Sequence, residues 1–99
     1  MSDKATSLHK GLRVLKAMKG HTLNGMSNQE LCRATDLSPS TISRIVSALV
    51  DEGLVERRYD GRFSLSIGML QIAQSHAIEM QRAQERINEI QSRVAAGAQ

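Results

Sequence analysis

Apolar positions keep a helical period to about residue 50, take a strand-like period to about residue 65, and return to a helical period afterwards. Leu8, Leu12 and Leu15 form the first stripe, with Val14 and Met18 beside it. They predict a helix over about residues 8–19, capped by Ser7, after a polar, frayed start at residues 1–6. Lys19 to Gly25 reads as a loop with two glycines. Ser27 to Glu30 is a capping box, in which the serine hydroxyl and the glutamate carboxylate each satisfy a backbone N–H of the first turn. The helix it opens, about 28–35, is short, with Leu31, Cys32 and Ala34 as its apolar residues, and Thr35-Asp36-Leu37 turns the chain out of it.

Residues 38–53 predict a helix marked at both ends. Ser38 caps the first turn, Pro39 suits the first helical position, where no N–H is needed, and Gly53 ends the helix in a left-handed conformation. Ile42, Ile45, Val46, Leu49 and Val50 make one apolar stripe. The other face carries Ser40, Thr41, Ser43, Arg44 and Ser47. Short hydroxyl side chains allow a backbone to come close to a large partner, and hydroxyls with one arginine suit phosphates and base edges in a major groove. A solvated, serine-rich surface is the competing reading of the same face. A short helix, a tight turn and a longer capped helix make the helix-turn-helix arrangement.

After Gly53, Leu54 to Arg58 and Arg62 to Leu65 flank Tyr59-Asp60-Gly61. The Asp-Gly pair predicts a hairpin closed by a tight primed turn, which needs residues that tolerate positive φ. Arg57, Arg58 and Arg62 lie at or near its tip, and so many arginines on a small ribbon suggest a wing against phosphates or in a minor groove.

From Met69 the chain has no proline and no glycine until Gly97, and it predicts one long helix to about residue 95. Met69, Ala73, His76, Met80, Ala83, Ile87, Ile90 and Val94 alternate spacings of four and three, a heptad seam that drives supercoiled helix pairing. A helix of about 27 residues spans roughly 40 Å and overruns so small a domain. Met80, Ala83, Ile87, Ile90 and Val94 are the expected dimerisation residues, with most of the pairing energy in the last three. The expected fold is mainly α with a small β-hairpin: a winged helix-turn-helix over 7–68 and a long helix over 69–96.

Composition narrows the function. The chain has 99 residues and a net charge of +3, with one Phe, one Tyr and no Trp. Its pI near 9.5 is a mild bias toward polyanions. Residues 1–20 hold Lys4, Lys10, Arg13, Lys16 and Lys19 against Asp3 alone, whereas residues 21–62 are near neutral. The first-helix cations serve solubility, with one or two of them touching phosphate. One cysteine, Cys32, excludes an intramolecular disulfide and suits a reducing compartment. No apolar run reaches membrane-spanning length and the start is no signal peptide, so the expected location is cytoplasmic, with no membrane partner. His9, His21 and His76 are scattered, Cys32 stands alone, and no glycine-rich phosphate loop follows a strand. No metal site, cofactor or catalytic group is therefore expected, and no enzyme.

Residues 7–73 resemble the DNA-binding domain of the IclR family of bacterial regulators. The resemblance rests on Ser7 to Leu15, Met26 to Leu31, Thr35 to Ile45, Leu49 to Val55 and Gly61 to Leu65, and its most specific part is Leu37-Ser38-Pro39-Ser40-Thr41-Ile42-Ser43-Arg44. Single matches recur in other winged helices such as the MarR type, but the order and spacing together favour IclR. The resemblance implies a winged helix-turn-helix with residues 39–52 in the major groove, Ser40, Thr41, Ser43 and Arg44 nearest the DNA, and the wing around Arg58 and Arg62 beside it. The full set of expected DNA contacts is Ser38, Ser40, Thr41, Ser43, Arg44, Ser47, Arg57, Arg58 and Arg62.

Two departures stand out. Ser66 replaces the usual glycine after the wing leucine, which bears on the exit into the last helix. The family's ligand-binding domain has no counterpart in this sequence, which leaves either an excised fragment or a compact regulator of phage or bacterial origin. The natural Met start favours the second, and no small-molecule effector is then expected. The expected function is a sequence-specific, dimeric regulator of transcription on double-stranded DNA. The alternative is a winged helix used as a protein–protein adaptor in a nucleoprotein assembly.

Overall fold

The structure is a computed structural model that describes residues 6–97. Its order is α1 (Thr6–Ala17), α2 (Asn28–Thr35), α3 (Pro39–Asp51), β1 (Val55–Arg57), β2 (Phe63–Leu65) and α4 (Ile67–Gly97). The chain divides into two compact units between Met69 and Leu70. This is the mainly helical fold with one small hairpin and a long last helix that the periodicity predicts. The start expected to fray lies, apart from Thr6, outside the described residues.

In the first unit, α1, α2 and α3 pack on one another around Val14, Met18, Met26, Leu31, Ile42, Val46, Val55 and Phe63. The α1 stripe differs from expectation in two ways. The helix already includes Thr6, so Ser7 lies inside it and does not cap it. Its buried position is Val14, joined by Met18 one turn on and just past the helix end, while Leu8 is 61% exposed and Leu12 is also exposed. Only the second half of α1 reaches the core, because Val14 and Met18 share a face that points at the other two helices. Arg13 ties this half down by donating to the Thr35 carbonyl at the end of α2.

The helix-turn-helix is shaped by its caps. Ser27 Oγ accepts from the Glu30 N–H at 3.1 Å, and Glu30 Oε1 accepts from the Ser27 N–H at 2.9 Å. At the far end of α2, Asp36 takes a left-handed φ of 60° and its N–H returns to the Cys32 carbonyl. Asp tolerates that region better than most residues, because its short polar side chain bonds locally. Ser38 caps α3 through the Thr41 N–H. The helix ends in a Schellman arrangement, with Gly53 donating to Val50 O and Leu54 to Leu49 O, both at 3.0 Å.

β1 and β2 pair antiparallel, with Val55 opposite Leu65 and Arg57 opposite Phe63. The turn corrects the expected primed form. Gly61 N–H bonds Arg58 O at 3.0 Å and Arg58 N–H bonds Arg62 O at 2.7 Å. Gly61 has a φ of 81°, while Tyr59 and Asp60 are not among the positive-φ residues. This is a three-residue loop, an ordinary turn followed by a left-handed glycine, rather than a two-residue primed turn. Met26 adds a single-residue bridge on the outer edge of β2, exchanging two backbone bonds with Phe63. Gly25, just before it, has a φ of 70°, and a Cβ there would lie 2.7 Å from Phe63 O.

Ser66, the departure noted after the wing leucine, has a structural role. Its hydroxyl donates to the Gly53 carbonyl and accepts from the Met69 N–H, so one side chain caps α4 and holds the end of α3. Gly68 is needed nearby, because a Cβ at that position would lie 2.6 Å from Gly53 O. None of the described residues of α4 is buried.

Candidate nucleic-acid interface

The hydroxyl face of α3 stands open. Ser40, Ser43, Arg44 and Ser47 are exposed and Thr41 is half-buried, while Ile42 and Val46 of the same helix are in the core. Ser38 also lies at this end, but its hydroxyl is committed to the cap and bonds Thr41 Oγ1 at 2.8 Å. Asn28 bridges α2 to α3, its Nδ2 donating to Ser43 Oγ at 3.1 Å and to the Pro39 carbonyl at 3.3 Å. Asn28 Oδ1 in turn accepts from Cys32 Sγ at 3.3 Å. Cys32 packs against the core, half-buried, as expected of an apolar position. Arg44 and Lys10 line one groove between α1 and α3, which brings a first-helix cation beside the α3 face.

The wing is arranged differently from the picture of three arginines turned to phosphate. Arg57 is exposed, with its guanidinium carbon 4.9 Å from the centre of the Phe63 ring. Such stacking holds a planar cation in place without using its N–H groups. Arg58 and Arg62 instead reach back to the loop before α2. Arg58 Nη1 donates to the Leu23 carbonyl at 2.6 Å. Arg62 donates from Nε to Asn24 O at 2.9 Å, and from Nη2 to Gly25 O at 3.0 Å and Glu30 Oε1 at 2.7 Å. Three consecutive carbonyls of a loop without regular structure are thus satisfied by wing guanidinium groups. The rigid fork of arginine suits this task, since several fixed donors can meet several acceptors at once.

Glu30 joins the two systems. It closes the α2 cap and receives Arg62, and its carboxyl is held below the usual carboxylate range, first by the Ser27 backbone N–H and then by the Arg62 charge. The capping box was legible in the sequence. The pairing of Glu30 with Arg62, the Asn28 clamp and the Arg13 tie were not, because partners so far apart in sequence leave no local pattern. Among the described residues no group of three His, Cys, Asp or Glu is placed to hold a metal, and no helix is long and apolar enough to cross a membrane.

A three-helix unit with a capped, open second helix of the helix-turn-helix and a hairpin beside it is a winged helix-turn-helix, a class of DNA-binding domain. The IclR helix-turn-helix domain matches residues 7–58, and the chain belongs to the IclR family of transcriptional regulators. An IclR family transcriptional regulator from Brucella abortus is similar at 33% identity and a TM-score of 0.64, over 72% of this chain and 27% of its own. An IclR homolog from Microbacterium sp. shares the fold at 24% identity and a TM-score of 0.66, over 81% of this chain and 33% of that one. The Agobacterium tumefaciens repressor BlcR shares it at 23% identity and a TM-score of 0.61, over 74% and 29%. This chain therefore spans roughly a quarter to a third of the length of these relatives. No curated protein sequence matches it.

Proposed function

We propose that the chain binds duplex DNA sequence-specifically as a homodimer and regulates transcription, with residues 39–52 in the major groove and the 54–65 hairpin as wing. The observation that carries this reading is the open α3 face, where Ser40, Ser43, Arg44 and Ser47 are exposed on a helix held by its core residues Ile42 and Val46 and bridged to α2 by Asn28. A recognition helix must present short polar side chains on a rigid support, because base discrimination depends on bond geometry. Arg44 is the base-reading candidate. Lys10 and Arg57 are the phosphate candidates, while Ser38 acts through its cap. Arg58 and Arg62 contribute by holding the wing in shape.

Dimerisation belongs to α4. Ile87, Ile90 and Val94 are 48%, 49% and 68% exposed in the single chain, and with Met80 and Ala83 they lie on one heptad seam. An apolar stripe in water is stabilised by pairing with a second copy. A two-fold dimer favours a pseudo-palindromic operator with half-sites near whole helical turns apart. Control by a small molecule is not part of this reading, which needs no ligand-binding domain.

The test is a gel shift on duplex DNA across a salt series. Affinity should fall linearly in log–log form, by about 0.9 of a decade per phosphate contact for each decade of salt. Affinity that stays flat from low to physiological salt would overturn the proposal.

A further inference from the structure

The tip of the wing has one side chain with nothing to do inside the protein. Tyr59 is 100% exposed, on a loop that is closely held. That loop is closed by the Gly61 to Arg58 and Arg58 to Arg62 backbone bonds, and by the Arg62 N–H on Asp60 Oδ1 at 3.0 Å. Its charged neighbours are occupied. Asp60 lies 3.6 Å from Arg58 Nε, Arg58 reaches Leu23, and Arg62 spans Asn24, Gly25 and Glu30. Arg58, Asp60 and Arg62 each have a partner of opposite sign within the domain, which leaves Arg57, stacked on Phe63 at the end of β1, as the wing cation without a carboxylate partner among the described residues. What it presents outward is a phenol on a rigid support. A tyrosine offers a large flat ring, a hydroxyl donor and few rotatable bonds, so ordering it on a partner costs little entropy.

We propose that Tyr59 is the wing's contact to DNA, its ring packed on deoxyribose and its hydroxyl donating to a backbone phosphate oxygen. Arg58 and Arg62 are then positioning residues that aim the tip. This rests on the DNA-binding reading above and goes beyond it by giving the outward contact at the tip to a neutral side chain in place of Arg58 and Arg62, beside the exposed Arg57. Sugar and phosphate contacts carry affinity without sequence preference. A neutral contact displaces no counterion, so Tyr59 should add affinity without adding to the salt slope.

The chain has one tyrosine and no tryptophan, so its tyrosine emission reports the wing tip alone. The probe is a mixed-sequence duplex three helical turns long at low salt, with binding followed independently by the anisotropy of a dye on the DNA. The expected result is a change in Tyr59 emission that titrates together with the anisotropy. Tyr59→Ala should weaken binding about tenfold with the salt slope unchanged, and Tyr59→Phe should fall between it and the wild type. Being fully exposed, Tyr59 can be replaced without touching the core, and circular dichroism checks this. If the duplex binds but the emission stays constant and Tyr59→Ala binds as the wild type does, this inference fails while the DNA-binding reading stands. If no duplex binds at any salt, both fail.

Discussion

Arg62 and Glu30, 32 residues apart in sequence, meet at 2.7 Å, and the same carboxylate oxygen accepts the Ser27 backbone N–H at 2.9 Å. One carboxylate therefore holds the wing to the start of the helix-turn-helix. Losing its charge loosens a helix cap and a wing support together.

The consequence is a dependence on acid. The Glu30 carboxyl is held below its ordinary range in the folded protein, so the folded state binds its proton less readily than the unfolded chain does. Its contribution to stability is present above the ordinary carboxylate range and is lost as pH falls through the lowered folded value. Urea denaturation of the wild type and of Glu30→Gln over a series from neutral to acidic pH should show this. The wild type should lose midpoint on acidification more steeply than the variant, with the two curves converging at the acid end. Parallel curves would mean that Glu30 takes no part.

Arg44 should decide sequence rather than overall grip. Arg44→Ala should cost about 1–3 kcal/mol on the preferred site if the guanidinium makes a bidentate base contact, and should relax the preference at one position. Selection of bound duplexes from a random library, run with wild type and variant, measures this. A variant that keeps its preference and binds every sequence uniformly more weakly identifies Arg44 as a phosphate ligand.

The dimer prediction concerns the far half of α4. Ile87→Asp with Ile90→Asp places charges on the seam where its apolar residues are largest. Buried without partners, such charges oppose helix pairing by far more than any surface interaction returns. Sedimentation should show a folded monomer, and a gel shift should show much weaker DNA binding. If the double variant sediments as the wild type does, the interface lies elsewhere, and the exposed Leu8 and Leu12 of α1 become the next site to test.

Local chemistry made much of this protein legible from its sequence. The Ser27–Glu30 capping box, the Ser38-Pro39 start and Gly53 end of α3, and the hairpin between Gly53 and Ser66 each depend on residues a few positions apart, and each forms where expected, the hairpin with a three-residue loop in place of the primed turn. The long last helix followed from the lack of any breaker between Met69 and Gly97. Tertiary structure alone decided which face of α1 is buried, because Val14 and Met18 are selected by where α2 and α3 lie, not by the leucine count of the stripe. It also decided what Arg58 and Arg62 bond to within the domain. A guanidinium near a hairpin tip has the same sequence signature whether it faces a phosphate or a carbonyl. Here the carbonyls of Leu23, Asn24 and Gly25 lie within reach of Arg58 and Arg62, whose rigid forks of donors can meet several fixed acceptors at once.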